Sequence, residues 1–101
     1  MVSDWEGEYP EPGTLIDDKF EVRRVLGRGA MGAVIEATHV LLRAPVALKF
    51  MSPRIVTLSG VVERFLNEGI AASRINNDHV VKVRAVSRLG NGQPYLVMEY
   101  L

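Results

Sequence analysis

Six residues in the first third of the chain limit its fold more than any other feature. Gly27-Arg28-Gly29-Ala30-Met31-Gly32 carries three glycines at the spacing G-x-G-x-x-G, between two strand-like runs. Glycine lets a backbone approach an anion closely and leaves N–H groups free to meet it. The residues after the glycines narrow the readings. A dinucleotide-binding βαβ unit needs a helix directly after them and an acid about 20 residues further on. Here the next residues are Ala33-Val34-Ile35-Glu36-Ala37-Thr38, a strand-like run, and no Asp or Glu occurs between Ala37 and Gly60. A phosphate loop of the Gly-Lys-Ser/Thr type is also absent. Two readings remain: a hairpin whose glycine turn covers phosphates, and a plain glycine-rich β-turn.

The rest of the chain supplies the elements around that turn. Residues 20–26 read as a strand with imperfect alternation, and residues 33–40 as a second strand. Val46-Ala47-Leu48-Lys49-Phe50-Met51 is a third, an apolar run broken by one lysine and ended by Pro53. Residues 61–75 have helical spacing of apolar positions, with Ser59 or Gly60 as N-cap and Asn76-Asn77-Asp78 as the stop. Residues 80–89 and 95–100 read as two further strands around a Gly90-Asn91-Gly92 turn. The order β-β-β-α-β-β predicts an α+β domain: a five-stranded antiparallel sheet with one long helix. The last strand ends at Leu101 without a terminating signal, which reads as a cut.

A length of 101 residues allows one domain. Twelve bases balance twelve acids, which argues against a dedicated nucleic-acid binder. The balance is uneven along the chain. Residues 1–14 hold Asp4, Glu6, Glu8 and Glu11 and no base, which leaves twelve bases against eight acids in residues 15–101. With Pro10, Pro12 and Gly13 as well, residues 1–14 read as a disordered acidic leader. An acidic cap packed on the domain is the alternative, carried by Trp5 and Tyr9. There is no cysteine, hence no disulfide or thiolate metal site. His39 and His79 lack a second ligand at metal spacing, so no metal residues are assigned. No apolar run reaches membrane-helix length and no signal peptide is visible, so the expected location is cytoplasmic.

Two charges stand where apolar residues belong. Lys49 interrupts the third strand on the same face as Ala47 and Met51, where the small alanine leaves room for a flat ligand. Glu68 lies on the apolar face of the helix. A buried ammonium is unfavourable unless paired, so an ion pair between sheet and helix is expected. A lysine that snorkels at a sheet edge is the competing reading.

Taken together, these pieces resemble a known family. Leu26-Gly27-Arg28-Gly29-Ala30-Met31-Gly32-Ala33-Val34, Val46-Ala47-Leu48-Lys49, Phe65-Leu66-Asn67-Glu68 and Tyr95-Leu96-Val97-Met98-Glu99-Tyr100-Leu101 look like the N-terminal lobe of a bacterial eukaryotic-like serine/threonine protein kinase. The first two match G-x-G-x-x-G-x-V and V-A-I-K in order and spacing. The resemblance covers residues 15–101. It implies a kinase N-lobe that binds ATP. Gly27, Gly29 and Gly32 would cover the phosphates, and Lys49, held by Glu68, would contact the α- and β-phosphates. Leu26, Val34 and Ala47 would sandwich the adenine, with Met98 behind it. The Glu99 carbonyl and the Leu101 N–H would bond its edge.

The resemblance also implies what lies elsewhere. The family's H-R-D, D-F-G and A-P-E segments, which carry the catalytic base and the Mg²⁺ ligands, do not occur in these 101 residues. The expected function is therefore the ATP-binding half of a transferase. The complete protein would move the γ-phosphate to Ser/Thr hydroxyls of a protein substrate, while this chain alone would be inactive. The alternative is a stand-alone kinase-derived lobe that binds nucleotide or docks a partner without catalysis. In place of the family's usual His-Pro-Asn after the helix stands Asn77-Asp78-His79, a difference in a turn.

Overall fold

The computed structural model describes residues 9–29, 32–53, 60–73, 83–90 and 92–100. Six strands and one helix occur in these segments: β1 (Leu15–Ile16), β2 (Phe20–Arg28), β3 (Gly32–His39), β4 (Ala44–Met51), α1 (Val61–Ser73), β5 (Val83–Arg88) and β6 (Pro94–Glu99). The strands form one sheet in the order β1-β2-β3-β4-β6-β5, and every neighbouring pair is antiparallel. This is the expected α+β fold with one strand more than the five expected. The extra strand, β1, has two residues, too few for a periodicity to be read. It closes on β2 through Asp17 and Asp18, whose φ values of 52° and 58° suit the tight hairpin turn. The Lys19 amide donates to the Ile16 carbonyl at 2.9 Å.

The uneven alternation of β2 has a structural cause. Its register against β3 shifts between Val22 and Arg24 and again between Val25 and Gly27. Each shift inserts a residue and moves the following side chains to the other face. Opposite it, β3 alternates cleanly: Ala33, Ile35 and Ala37 are buried, and Val34, Glu36 and Thr38 are half-buried. The core lies on the face of Ala33, Ile35 and Ala37 and adds Ile16, Phe20, Val22, Leu48, Phe50, Tyr95 and Val97. Phe50 and Tyr95 stack with ring centroids 5.2 Å apart. The Tyr95 hydroxyl donates to the Asp17 carboxylate, which fastens the first hairpin to β6. Burial and then this carboxylate push the Tyr95 pKa well above the ordinary tyrosine value.

The leader expectation fails over residues 9–14. Tyr9 is 7% exposed and joins the core, and Pro10 is fully buried. The Gly13 amide donates to the Val22 carbonyl, and the Val22 amide to the Thr14 carbonyl, both at 2.8 Å. A buried aromatic ring contributes about 1.5–3 kcal/mol toward the ordering of this segment, to which the buried Pro10 and the backbone bonds add. Acid content alone did not reveal this. Residues 1–8, including Trp5, lie outside the described residues.

The helix starts where expected. The Arg64 amide donates to the Gly60 carbonyl at 3.1 Å, so Gly60, with a φ of 77°, stands at the N-cap position. Residues 74–82, into which the expected helix end and the start of the fourth expected strand fall, lie outside the described residues. At the other hairpin, the Leu89 amide donates to the Gln93 carbonyl, and the Gln93 side-chain amide donates to the Met51 carbonyl at 2.8 Å. The β5–β6 turn is thereby tied to the end of β4. His39 is a structural residue: its Nδ1 accepts from the Leu42 amide at 3.3 Å, and its ring meets Phe20 edge-on. Among the described residues no helix is long and apolar enough to cross a membrane.

Candidate functional site

The face of the sheet opposite the core carries the site. Register places Gly27 beside Val34, Val34 beside Lys49, and Lys49 beside Leu96. The neighbouring row runs Arg24, Glu36, Ala47, Met98 and Val83. These two rows result from pairing alone, because directly opposed residues share a face. They bring Gly27, Val34, Ala47, Lys49 and Met98, five of the sequence-predicted residues, onto one surface. Leu101 lies outside the described residues.

A cavity of about 510 Å³ opens where the β2–β3 hairpin overhangs this surface. Its walls include Gly27, Gly29, Gly32, Val34, Lys49 and Glu68, six of the residues that the sequence singles out. Leu26, Ala47, Met98 and Glu99 are not among its walls. Leu26 is 38% exposed, Ala47 is buried, and Met98 is half-buried beside Ala47 in the register. The walls also include Arg28, Phe65 and Met51, to which the sequence assigns no site role. Phe65 is explained by helical spacing, since it stands three residues before Glu68 and so on the same side of α1. Arg28 occupies a variable position of the glycine motif, and no pattern marks it.

The three glycines differ in why they are there. A Cβ added at Gly32 would stand 1.9 Å from the Phe50 carbonyl oxygen, so the hairpin's return strand can lie against β4 only without a side chain. At Gly27 and Gly29 an added Cβ meets nothing within 4 Å among the described residues, and neither backbone is left-handed. The fold therefore requires glycine at 32 and leaves open space at 27 and 29. The Gly29 amide donates to the Gly32 carbonyl at 2.8 Å and closes the base of the turn. Ala30 and Met31 lie outside the described residues.

Lys49 and Glu68 reach the same cavity from β4 and α1. The expected ion pair between them is not among those of the described residues, and both residues are exposed. The expectation rested on desolvation, and an open cavity leaves both charges hydrated, so neither is forced to pair.

Charge pairing occurs instead at the margins. Arg24 Nε donates to Glu36 at 2.7 Å, and its Nη2 to the Tyr100 hydroxyl at 3.4 Å. The Glu36 hydrogen bond, then that of Tyr100, raises the Arg24 pKa further. Arg84 donates to the Glu99 carboxylate at 2.6 Å across β5 and β6. Arg24 and Arg84 are therefore paired as well as solvated, with side-chain exposures of 67% and 57%.

A glycine hairpin over a sheet whose third long strand carries a lysine, with the helix acid across the same cavity, defines a protein-kinase N-terminal lobe. Sequence relatives agree. The chain is 34% identical over 94 residues to a probable serine/threonine-protein kinase, pknA2, of Bifidobacterium longum, covering 90% of this chain and 12% of the relative. It is 32% identical over 89 residues to the serine/threonine-protein kinase pkn3 of Myxococcus xanthus, covering 88% of this chain and 16% of the relative. Among solved structures, a crystal structure of the PknI kinase domain of Mycobacterium tuberculosis superimposes with a TM-score of 0.77 at 28% identity. That match covers 92% of this chain and 36% of the solved one. No family model matches the chain. The chain thus spans less than a fifth of the length of these curated relatives. It belongs with the bacterial serine/threonine protein kinases, as a homologue of their N-terminal lobe.

Proposed function

We propose that the cavity under the glycine hairpin binds the phosphates of ATP. The observation that carries this reading is the contrast among the glycines. Among the described residues an added Cβ at Gly27 or Gly29 meets open space and neither backbone is left-handed, so no contact there accounts for them. A ligand that needs close backbone approach does, and Lys49 supplies a positive charge on the wall of the same cavity. Val34 and Ala47 would cover one face of the adenine, with Leu26 at its margin and Met98 behind. The Glu99 carboxylate is engaged by Arg84, and its backbone carbonyl would meet the adenine edge together with the Leu101 N–H.

On this reading ATP supplies the γ-phosphoryl group, and these residues position it while the rest of a kinase performs transfer to a protein Ser/Thr hydroxyl. Mg²⁺ would be held by residues of the D-F-G and catalytic-loop segments, which these 101 residues do not contain. Alone, the chain binds ATP weakly and transfers nothing. Hydrogen bonds to the adenine edge contribute only about 0.5–1.5 kcal/mol each, and a charged contact about 1.5–3 kcal/mol.

Titration of the chain with a fluorescent ATP analogue tests the reading. We expect saturable binding displaced by unlabelled ATP, weakened about tenfold or more by Lys49→Met with the fold unchanged by circular dichroism. Binding that Lys49→Met leaves intact, or no displaceable binding at millimolar ATP, would overturn it.

A further inference from the structure

We propose that residues 9–14 are a strap for the glycine hairpin, and that Tyr9 is a positioning residue for that hairpin through Arg28. The part that concerns nucleotide rests on the proposed ATP site.

A hairpin with glycines at 27 and 29 has few handles by which the sheet can hold it. Gly32 anchors the return strand through its close approach to Phe50. On the outgoing strand, Arg28 is the only residue between Gly27 and Gly29, and so the only side chain there. Arg28 is the register partner of Ala33, which places it on the core face of the hairpin base. Its guanidinium carbon stands 5.9 Å from the centre of the Tyr9 ring, within cation–π range. No ion pair to Arg28 occurs among the described residues.

Tyr9 is itself held firmly. It is packed in the core cluster beside a fully buried Pro10, and two backbone hydrogen bonds fasten residues 13 and 14 to Val22. Its hydroxyl is buried without a hydrogen-bond partner among the described residues. The ring and the backbone ladder therefore hold the strap, and the hydroxyl does not. One end of the strap is sewn to β2 and the other supports the end of that same strand, where it enters the glycine turn. Loosening the strap should then loosen the hairpin before anything else.

Amide exchange of the 101-residue chain, monitored by NMR without nucleotide, tests the strap independently of the ATP reading. The reporter is the Gly29 amide, which donates to the Gly32 carbonyl. Tyr9→Phe keeps the ring and should leave its exchange unchanged. Tyr9→Leu and Arg28→Ala should each speed it about fivefold beyond any change shared by the Leu48 and Val97 amides. The double variant should go no further than either single one. Unchanged Gly29 exchange, additive effects, or a uniform rise at all amides overturns the positioning role. Should Tyr9→Leu fail to fold, Arg28→Ala and Arg28→Lys on the surface decide, with lysine retaining much of the protection. ATP affinity should fall in the same order as the exchange rates. If exchange rises and affinity does not change, the strap does not serve the nucleotide. If wild type binds no ATP, the proposed function fails while the exchange result stands.

Discussion

Replacing each glycine of the turn by alanine, one at a time, separates what the fold needs from what a ligand needs. At Gly32 the added Cβ stands 1.9 Å from the Phe50 carbonyl oxygen and 3.0 Å from its carbon. Real Cβ atoms essentially never come within 3.0 Å of such an atom, so β3 and β4 must part by about 1 Å at this point. The clash is with backbone, which cannot swing aside as a side chain end can. Overpacking of this kind destabilises by about 1–3 kcal/mol, and a weakened ladder bond between the Gly32 and Met51 positions adds about 0.5–1.5 kcal/mol. For a domain of about 100 residues each kcal/mol lowers the Tm by about 4–8 °C, so a fall on the order of 10 °C is expected. Gly27→Ala and Gly29→Ala meet nothing and restrict the unfolded chain, so their stability should stay level or rise by about 0.4–1 kcal/mol. Their loss should appear in ATP titration instead. Thermal melts and nucleotide titrations on the three variants are the assay. A Gly32→Ala variant as stable as wild type, or Gly27→Ala melting well below it, would refute the division of roles.

Other expectations arise from particular contacts. Glu68→Gln should change the stability of the chain by less than about 0.5 kcal/mol in denaturant titration, because Glu68 is exposed and unpaired with Lys49; a loss above about 1 kcal/mol would mean that the two charges do couple. Tyr95 has its pKa raised in the folded state, so the unfolded chain gives up this proton first as pH climbs. Its contribution is complete below the ordinary tyrosine pKa near 10 and declines above it. Wild-type melts should therefore lose stability more steeply above pH 10 than those of Tyr95→Phe, and equal slopes would rule this out. Tyr9→Ala should lower stability by about 3 kcal/mol, as for a core aromatic; a change within about 0.5 kcal/mol would return residues 9–14 to the status of a leader.

Much of the site could be read from residue types in order. The glycine spacing, the strand after it, the lysine in an apolar run and the acid on a helical face are local patterns, and each element formed close to its expected place. Such patterns survive because periodicity and turn chemistry act over a few residues. Three outcomes needed the folded chain. The burial of Tyr9 and Pro10 depends on a pocket made by strands far along the sequence, so an acidic, proline-bearing segment looked like a leader until the sheet closed over it. The separation of Lys49 from Glu68 depends on how much water the cavity admits, a property of the assembled walls and not of either residue. The differing duties of Gly27, Gly29 and Gly32, identical letters in one motif, are settled by how near another backbone comes, and only Gly32 has one at contact distance.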